Sequence, residues 1–204
     1  ISQFKRQQRL KDIGKESAFL WGPRQTGKST LLRKLFPTAR YVDLLLADEY
    51  ERLNRDPTIL RQEIMEKGDP AGSITVVDEV QKVPALLDEI QWLMVNKKCQ
   101  FVLCGSSARK LKRGSGNLLG GRAIRYELFP LVFPEIPDFD LKRALNHGLL
   151  PRHYLAENPG PLIHAYVGEY LKEEIAAEAL TRNIPGFARF LEAASFSNGQ
   201  MVNY

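Results

Sequence analysis

A lysine and two hydroxyls set just behind the second of two glycines, five positions apart, form a residue set that can hold phosphate. They stand at Gly22-Pro23-Arg24-Gln25-Thr26-Gly27-Lys28-Ser29-Thr30, directly after the apolar run Ser17–Trp21. The spacing is G-x-x-x-x-G-K-[ST], which carries meaning when a strand precedes it and a helix follows. Gly22 and Gly27 admit backbone angles and close approach that a Cβ forbids. Successive main-chain N–H groups can then point inward at phosphate oxygens, at a helix N-terminus that favours negative charge. In that reading Lys28 reaches the β/γ oxygens and the Ser29 hydroxyl ligates Mg²⁺. The competing reading is an ordinary strand-to-helix turn, and the strand–helix context argues against it.

Three further stretches could supply the rest of a phosphoryl chemistry. In ITVVDEVQKVP a carboxylate pair, Asp78-Glu79, ends a hydrophobic run. Asp78 there is the expected second protein partner of Mg²⁺, directly or through water, and Glu79 would polarise an attacking water. The alternative is that both acids only open the following helix. In FVLCGSSARKL, Ser106 can reach the γ-phosphate or the water, while Ser107 reads as a helix N-cap. Arg122, between a glycine pair and the run Ala123–Phe129, could complete a neighbouring subunit's site by stabilising charge on the transferring group. A plain surface arginine is the equal alternative. The basic cluster Ala108–Gly114 reads as a solvated helix face.

These residues need a scaffold, and the pattern of the chain supplies one. β-type runs at Ser17–Trp21, Ala39–Leu46, Ser73–Asp78, Cys99–Gly105 and Ala123–Phe129 alternate with helical patterns. The polar stretch Asp48–Lys67 reads as one or two helices broken near Asp56-Pro57, and Leu86, Leu87, Ile90, Leu93 and Met94 share a helical face. Near-continuous apolar strands are those of a parallel sheet buried on both faces. The order predicts a doubly wound α/β sheet with its ligand at the carboxyl ends of the strands. Beyond Pro137 the character changes. The stretch PLVFPEIPDF predicts an extended linker, and helices follow at Asp140–His147, Leu162–Arg182 and from Pro185, with Phe187, Phe190 and Phe196 expected in a helical core. The chain therefore divides into a core, 1–137, and a small all-helical lid, 138–204.

Bulk properties bound the function. The chain has 204 residues and a net charge of +5 from 29 basic and 24 acidic side chains, enough for an anionic ligand without the basic stripe of a dedicated nucleic-acid binder. Two cysteines, Cys99 and Cys104, are too few for a disulfide framework and fit a reducing, cytoplasmic setting. No window approaches the roughly 18 apolar residues of a membrane span. His147, His153 and His164 lack metal-ligand spacing. Ile1 at one end and FSNGQMVNY at the other read as the ends of a piece cut from a longer protein.

Taken together, GPRQTGKST, VVDEVQKVP, GSSARKL and GGRA…LFPLVFPE resemble the AAA+-type P-loop ATPases of bacteria and archaea. More narrowly they resemble those related to STAND signalling ATPases. The resemblance implies a P-loop NTPase three-layer sandwich with a five-stranded, mostly parallel sheet, followed by the lid. It implies ATP as nucleotide, with Mg²⁺, and hydrolysis to ADP and phosphate used as a conformational switch. A signalling module with little turnover and a P-loop phosphotransferase are the alternatives, and the adjacent acids Asp78-Glu79 favour hydrolysis over phosphotransfer. It implies that Ser106 is a sensor and Arg122 a finger acting across a homo-oligomer. It also implies a continuation past Tyr204, winged-helix-like, through which a nucleic-acid or protein partner is engaged. Relatives carry a Gly-Gly-x-Pro turn in the lid near the nucleotide. Here Gly148-Leu149-Leu150-Pro151 lacks the second glycine, so Pro151 is expected to pack within the lid instead of meeting the base.

Overall fold

The computed structural model describes residues 4–6, 13–66, 73–106, 119–170 and 183–197. It divides into two compact units, residues 1–155 and 156–204.

The first unit is built on five strands: β1 Ala18–Trp21, β2 Arg40–Asp43, β3 Ile74–Asp78, β4 Gln100–Gly105 and β5 Ile124–Glu127. Their order is β2-β3-β4-β1-β5, and every pairing is parallel. Alternate side chains leave the sheet on opposite faces, and the core follows that period. Phe19, Trp21, Val77, Phe101 and Leu103 enter one apolar cluster, where the Phe19 and Trp21 rings stack at 5.2 Å. Their neighbours Leu20, Val76, Val102 and Cys104 enter a second cluster with Leu128 and Leu32. Helices α2 (Ala47–Arg55), α3 (Thr58–Glu66) and α4 (Leu86–Lys97) cover the first face through Leu53, Leu60, Ile64, Leu86 and Ile90. Helix α1 (Lys28–Leu35) covers the second through Leu32. Helix on sheet on helix is the three-layer sandwich expected from the buried apolar strands.

The register fixes where chemistry can happen. Trp21 is level with Gly105 and with Glu127, and Asp43 with Asp78. The carboxyl ends of the strands thus share one edge. From β1 the chain runs out to β2, on one side of β1 in the sheet, whereas β5 lies on the other. The crevice between β1 and β4 is where an open α/β sheet binds its ligand.

Several expected boundaries shift. β2 ends at Asp43, not Leu46, because Leu46 N–H closes a turn onto the Asp43 carbonyl and α2 begins at once. The stretch after β5 is not an extended linker. Leu131 and Ile136 are buried with Phe4 and Tyr154 in a third apolar cluster, and a short 3₁₀ turn spans Phe133–Glu135. The buried Glu135 carboxylate pairs with Arg6 at 2.9 Å. Apolar side chains in a proline-rich stretch found a core to enter. Helices α5 (Leu141–His147) and α6 (Pro151–Leu155) also belong to this unit.

In the second unit α7 covers Gly160–Glu169 and α8 covers Ile184–Phe196, opened by Pro185 in the first turn and by Asn183 accepting from Gly186 N–H. Phe187 and Phe190 touch through their rings, at 5.9 Å between centroids. Phe190 and Phe196 are 61% and 76% exposed, so they do not form the helical core the sequence pattern suggested. No helix among the described residues is long and apolar enough to cross a membrane.

Candidate functional site

Trp21 ends β1, and the loop that follows turns back into α1. Gly22 is required by a neighbour strand: a Cβ there would meet the Leu128 carbonyl oxygen at 2.1 Å. Gly27 takes a left-handed conformation, φ 90°, and its carbonyl accepts from Leu31 N–H as the first turn of α1. Gln25, at φ 63°, shares that region without being glycine. The loop is held from inside. Thr26 is buried, and its hydroxyl donates to the Pro23 carbonyl at 2.9 Å. The buried Lys28 ammonium turns back over the loop and donates to the Gly22 and Pro23 carbonyls at 2.8 and 2.9 Å. A lysine held by neutral carbonyls is a cation with no anionic partner in those contacts, poised for oxygens of opposite charge.

Across the crevice stands the end of β3. The buried Asp78 carboxylate accepts from the Tyr41 hydroxyl at 2.8 Å on Oδ2 and from Glu79 N–H at 3.1 Å on Oδ1. Glu79 follows at φ 56°, ψ 41°, a left-handed conformation that aims its side chain out of the strand line. Its carboxylate accepts from Gln81 Nε2, and the same amide group donates to Ser106 Oγ at 3.3 Å. Gln81 therefore ties the end of β3 to the end of β4. Its Oε1 is buried over Gly105, where a Cβ would lie 2.1 Å from it.

The electrostatics show how close these groups are. Burial first, and then the Asp78 charge, push the Cys104 thiol well above its ordinary pKa, while Lys28 pulls the other way. One buried thiol in β4 thus senses the loop lysine and the β3 acid together. Burial, followed by Asp78, also raises the Tyr41 phenol, which stays a protonated donor.

Beside the loop opens a cavity of about 210 Å³, lined by Thr26, Gly27, Leu31, Phe4, Leu131 and Pro151. Its walls combine apolar side chains and loop residues with the cationic Arg6 and Lys34, a make-up that accommodates a flat ring attached to phosphates. Pro151, expected to pack within a lid, lies here because α6 is docked through Tyr154 onto the Phe4–Leu131 cluster.

Lys28, Ser29, Asp78, Glu79 and Ser106 thus gather at one edge of the sheet, as the sequence suggested. Pro23, Arg24 and Gln25 form the remainder of the loop, and Thr30 lies in the first turn of α1. Ser107 and the basic stretch Ala108–Gly114 lie outside the described residues. Arg122 is elsewhere. It precedes β5, where Ile124 N–H donates to the Ser17 carbonyl, at the amino ends of the strands. There it lines a second cavity with Lys15 and Lys98. The four residues of β1 alone put roughly 13 Å between that end and the loop. Sequence reasoning passed over Tyr41, Gln81, Phe4, Leu31 and Leu131. Only Gln81 carried a local signal, two positions from Glu79. Ser29 and Asp78 offer hard oxygen ligands suited to Mg²⁺, which keeps few protein ligands and relies on phosphate for others. Clusters of three or more His, Cys, Asp or Glu able to hold a metal are absent among the described residues.

Comparison with known proteins places this geometry. The family model described as "AAA domain" matches residues 14–137, more than half of the chain. Among solved structures, domain III of the Thermotoga maritima replication initiation protein DnaA is similar at 18% identity, over 80% of this chain and 79% of that one, with a TM-score of 0.41. No curated protein matches. With its loop between β1 and α1, its acidic pair at the end of β3 and the family match spanning all five strands, the chain belongs to the AAA family of nucleotide-binding P-loop ATPases.

Proposed function

We propose that the chain binds ATP with Mg²⁺ and hydrolyses it to ADP and phosphate, the nucleotide state acting as a conformational switch. The observation that supports this best is the bridge Glu79–Gln81–Ser106 at the carboxyl end of the sheet, beside the loop holding Lys28. An acid braced against a polar residue on the next strand, within the crevice, suits a base that must hold one water at one angle. In this reading the loop amides from Gly22 to Thr30 and the Lys28 ammonium receive the phosphates, and Lys28 exchanges two carbonyl contacts for charged oxygens. Ser29 and Asp78 hold Mg²⁺, which when bound neutralises charge on the phosphoryl oxygens. Glu79 orients water, Ser106 contacts the γ-phosphate or that water, and the base rests in the apolar cavity against Leu31, Leu131 and Pro151. Residues 1–137 act as the ATPase core and the helices of 138–204 as the part that reports nucleotide state, α5 and α6 packing with the core unit so that Pro151 meets the base. Arg122 serves a neighbouring subunit.

ATP affinity measured by calorimetry tests the first half of the proposal. Lys28→Ala is expected to weaken ATP by 10-fold or more, about the 1.5–3 kcal/mol of a charged hydrogen bond. A variant binding as tightly as wild type removes the phosphate-loop reading. Tight binding with wild-type phosphate release at background leaves the second reading, a binding module with little turnover.

A further inference from the structure

Asp78, one of the groups expected to meet a divalent cation, is held by a side chain from the neighbouring strand. Tyr41 lies in β2, level with Val76, two residues before Asp78 on the same strand face. Its ring packs against the cluster holding Val76 and is covered by the Arg33 guanidinium, 3.9 Å from the ring centroid. Arg33 belongs to α1, the helix that carries Ser29, and also pairs with Asp43 at 3.5 Å. Ring and helix are thereby held in one arrangement. The phenol then donates to Asp78 Oδ2 at 2.8 Å.

The bonds on Asp78 have a chemical consequence. A carboxylate that can rotate spreads its lone pairs over many directions. Here Tyr41 on one oxygen and Glu79 N–H on the other hold the plane of Asp78. Hydrogen-bond partners that orient ligands in this way typically change metal affinity 10- to 100-fold when removed.

We propose that Tyr41 is a positioning residue for the divalent cation, holding the plane of the Asp78 carboxylate through its own hydroxyl. The inference rests on the nucleotide–Mg²⁺ reading above and names a residue that reading does not contain. A purely structural tyrosine, filling space beside Val76, is the alternative.

The test is ATP affinity in EDTA and along a Mg²⁺ titration, for wild type and Tyr41→Phe. Phenylalanine keeps the ring under Arg33, and the EDTA arm reports folding and loop integrity. The expected result is an EDTA affinity within about twofold of wild type and a Mg²⁺ half-saturation raised about 10-fold or more. A Mg²⁺ curve superimposable on wild type overturns the proposal. So does an equal loss of affinity with and without Mg²⁺, because it places Tyr41 on the loop and not on the cation. A wild type whose ATP affinity ignores Mg²⁺ removes the metal reading itself, a failure distinguishable from that of Tyr41.

Discussion

At the scale of single residues, Glu79 carries the clearest conflict between stability and task. A non-glycine residue in the left-handed region costs about 1–2 kcal/mol, and Glu79 sits there at φ 56°. Such outliers collect at functional sites when surrounding structure imposes them. The imposition is visible: Glu79 N–H is tied to Asp78 Oδ1, its carbonyl accepts from Lys82 N–H, and its carboxylate is tied to Gln81. Two substitutions separate the roles. Glu79→Gln keeps size and hydrogen bonding, and phosphate release is expected to fall about 10²- to 10⁴-fold with ATP affinity unchanged. Glu79→Gly removes the strain, and thermal unfolding is expected to rise by about 2–4 °C, the equivalent of roughly 1 kcal/mol in a chain of this size. A melting point below wild type for the glycine variant sinks the strain argument, and undiminished release by the glutamine variant sinks the base.

At the scale of elements, β1 and β4 end level and β3 stops one residue short of them, and small differences at those ends decide what meets. Gly105 is the last residue of β4, and a Cβ there would stand 2.1 Å from Gln81 Oε1 and 2.8 Å from Trp21 Cζ3. Glycine here leaves room for Gln81 to cross from β3 to Ser106. Gly105→Ala is therefore expected to cost about 1–3 kcal/mol by overpacking and to push Gln81 off both partners. Turnover should fall while ATP affinity holds, since the loop proposed to receive the phosphates is untouched. Gln81→Ala is expected to reproduce the turnover defect without the overpacking. Denaturant midpoints and phosphate-release assays on the two variants check both halves, and full turnover in Gln81→Ala would show that the bridge is incidental.

At the scale of the whole molecule, the parallel sheet separates two sites. Its carboxyl edge holds the loop with Lys28, Asp78 and Glu79, and its amino edge holds Arg122 with Lys15, Glu16 and Lys98 around a cavity of about 440 Å³. A guanidinium at the amino edge cannot serve the site on its own chain without crossing the sheet. Arg122 contributes to hydrolysis only if one chain's amino edge faces another chain's loop, a head-to-tail contact of the kind that builds rings or filaments. Turnover per chain is then expected to rise with protein concentration, and Arg122→Ala to abolish that rise while leaving ATP affinity alone. A finger of this kind is worth about 10³- to 10⁵-fold where it has been measured. A rate per chain that stays flat across a hundredfold range of concentration removes Arg122 from the mechanism.

The glycine-lysine loop, the ends of β1, β3 and β4 and the acidic pair were readable in the sequence because each depends on residues a few positions apart. Glycine spacing sets the turn, continuous apolar runs set buried strands, and one strand end sets where Asp78 stops. The proline-rich stretch after β5 misled for the same reason: its local composition says loop, while burial of Leu131 and Ile136 depends on Phe4 and Tyr154 far along the chain. Phe190 and Phe196 misled in the opposite sense, since apolar spacing on a helix marks a face without saying whether anything covers it. Tyr41 and Gln81 became legible only in the fold. Their partners lie 37 and 25 residues away, and the parallel register brings them within a hydrogen bond. Sequence determined which chemical groups exist and how each local turn is shaped. Tertiary structure decided which of them touch, because distance across a sheet is set by strand order and not by position along the chain.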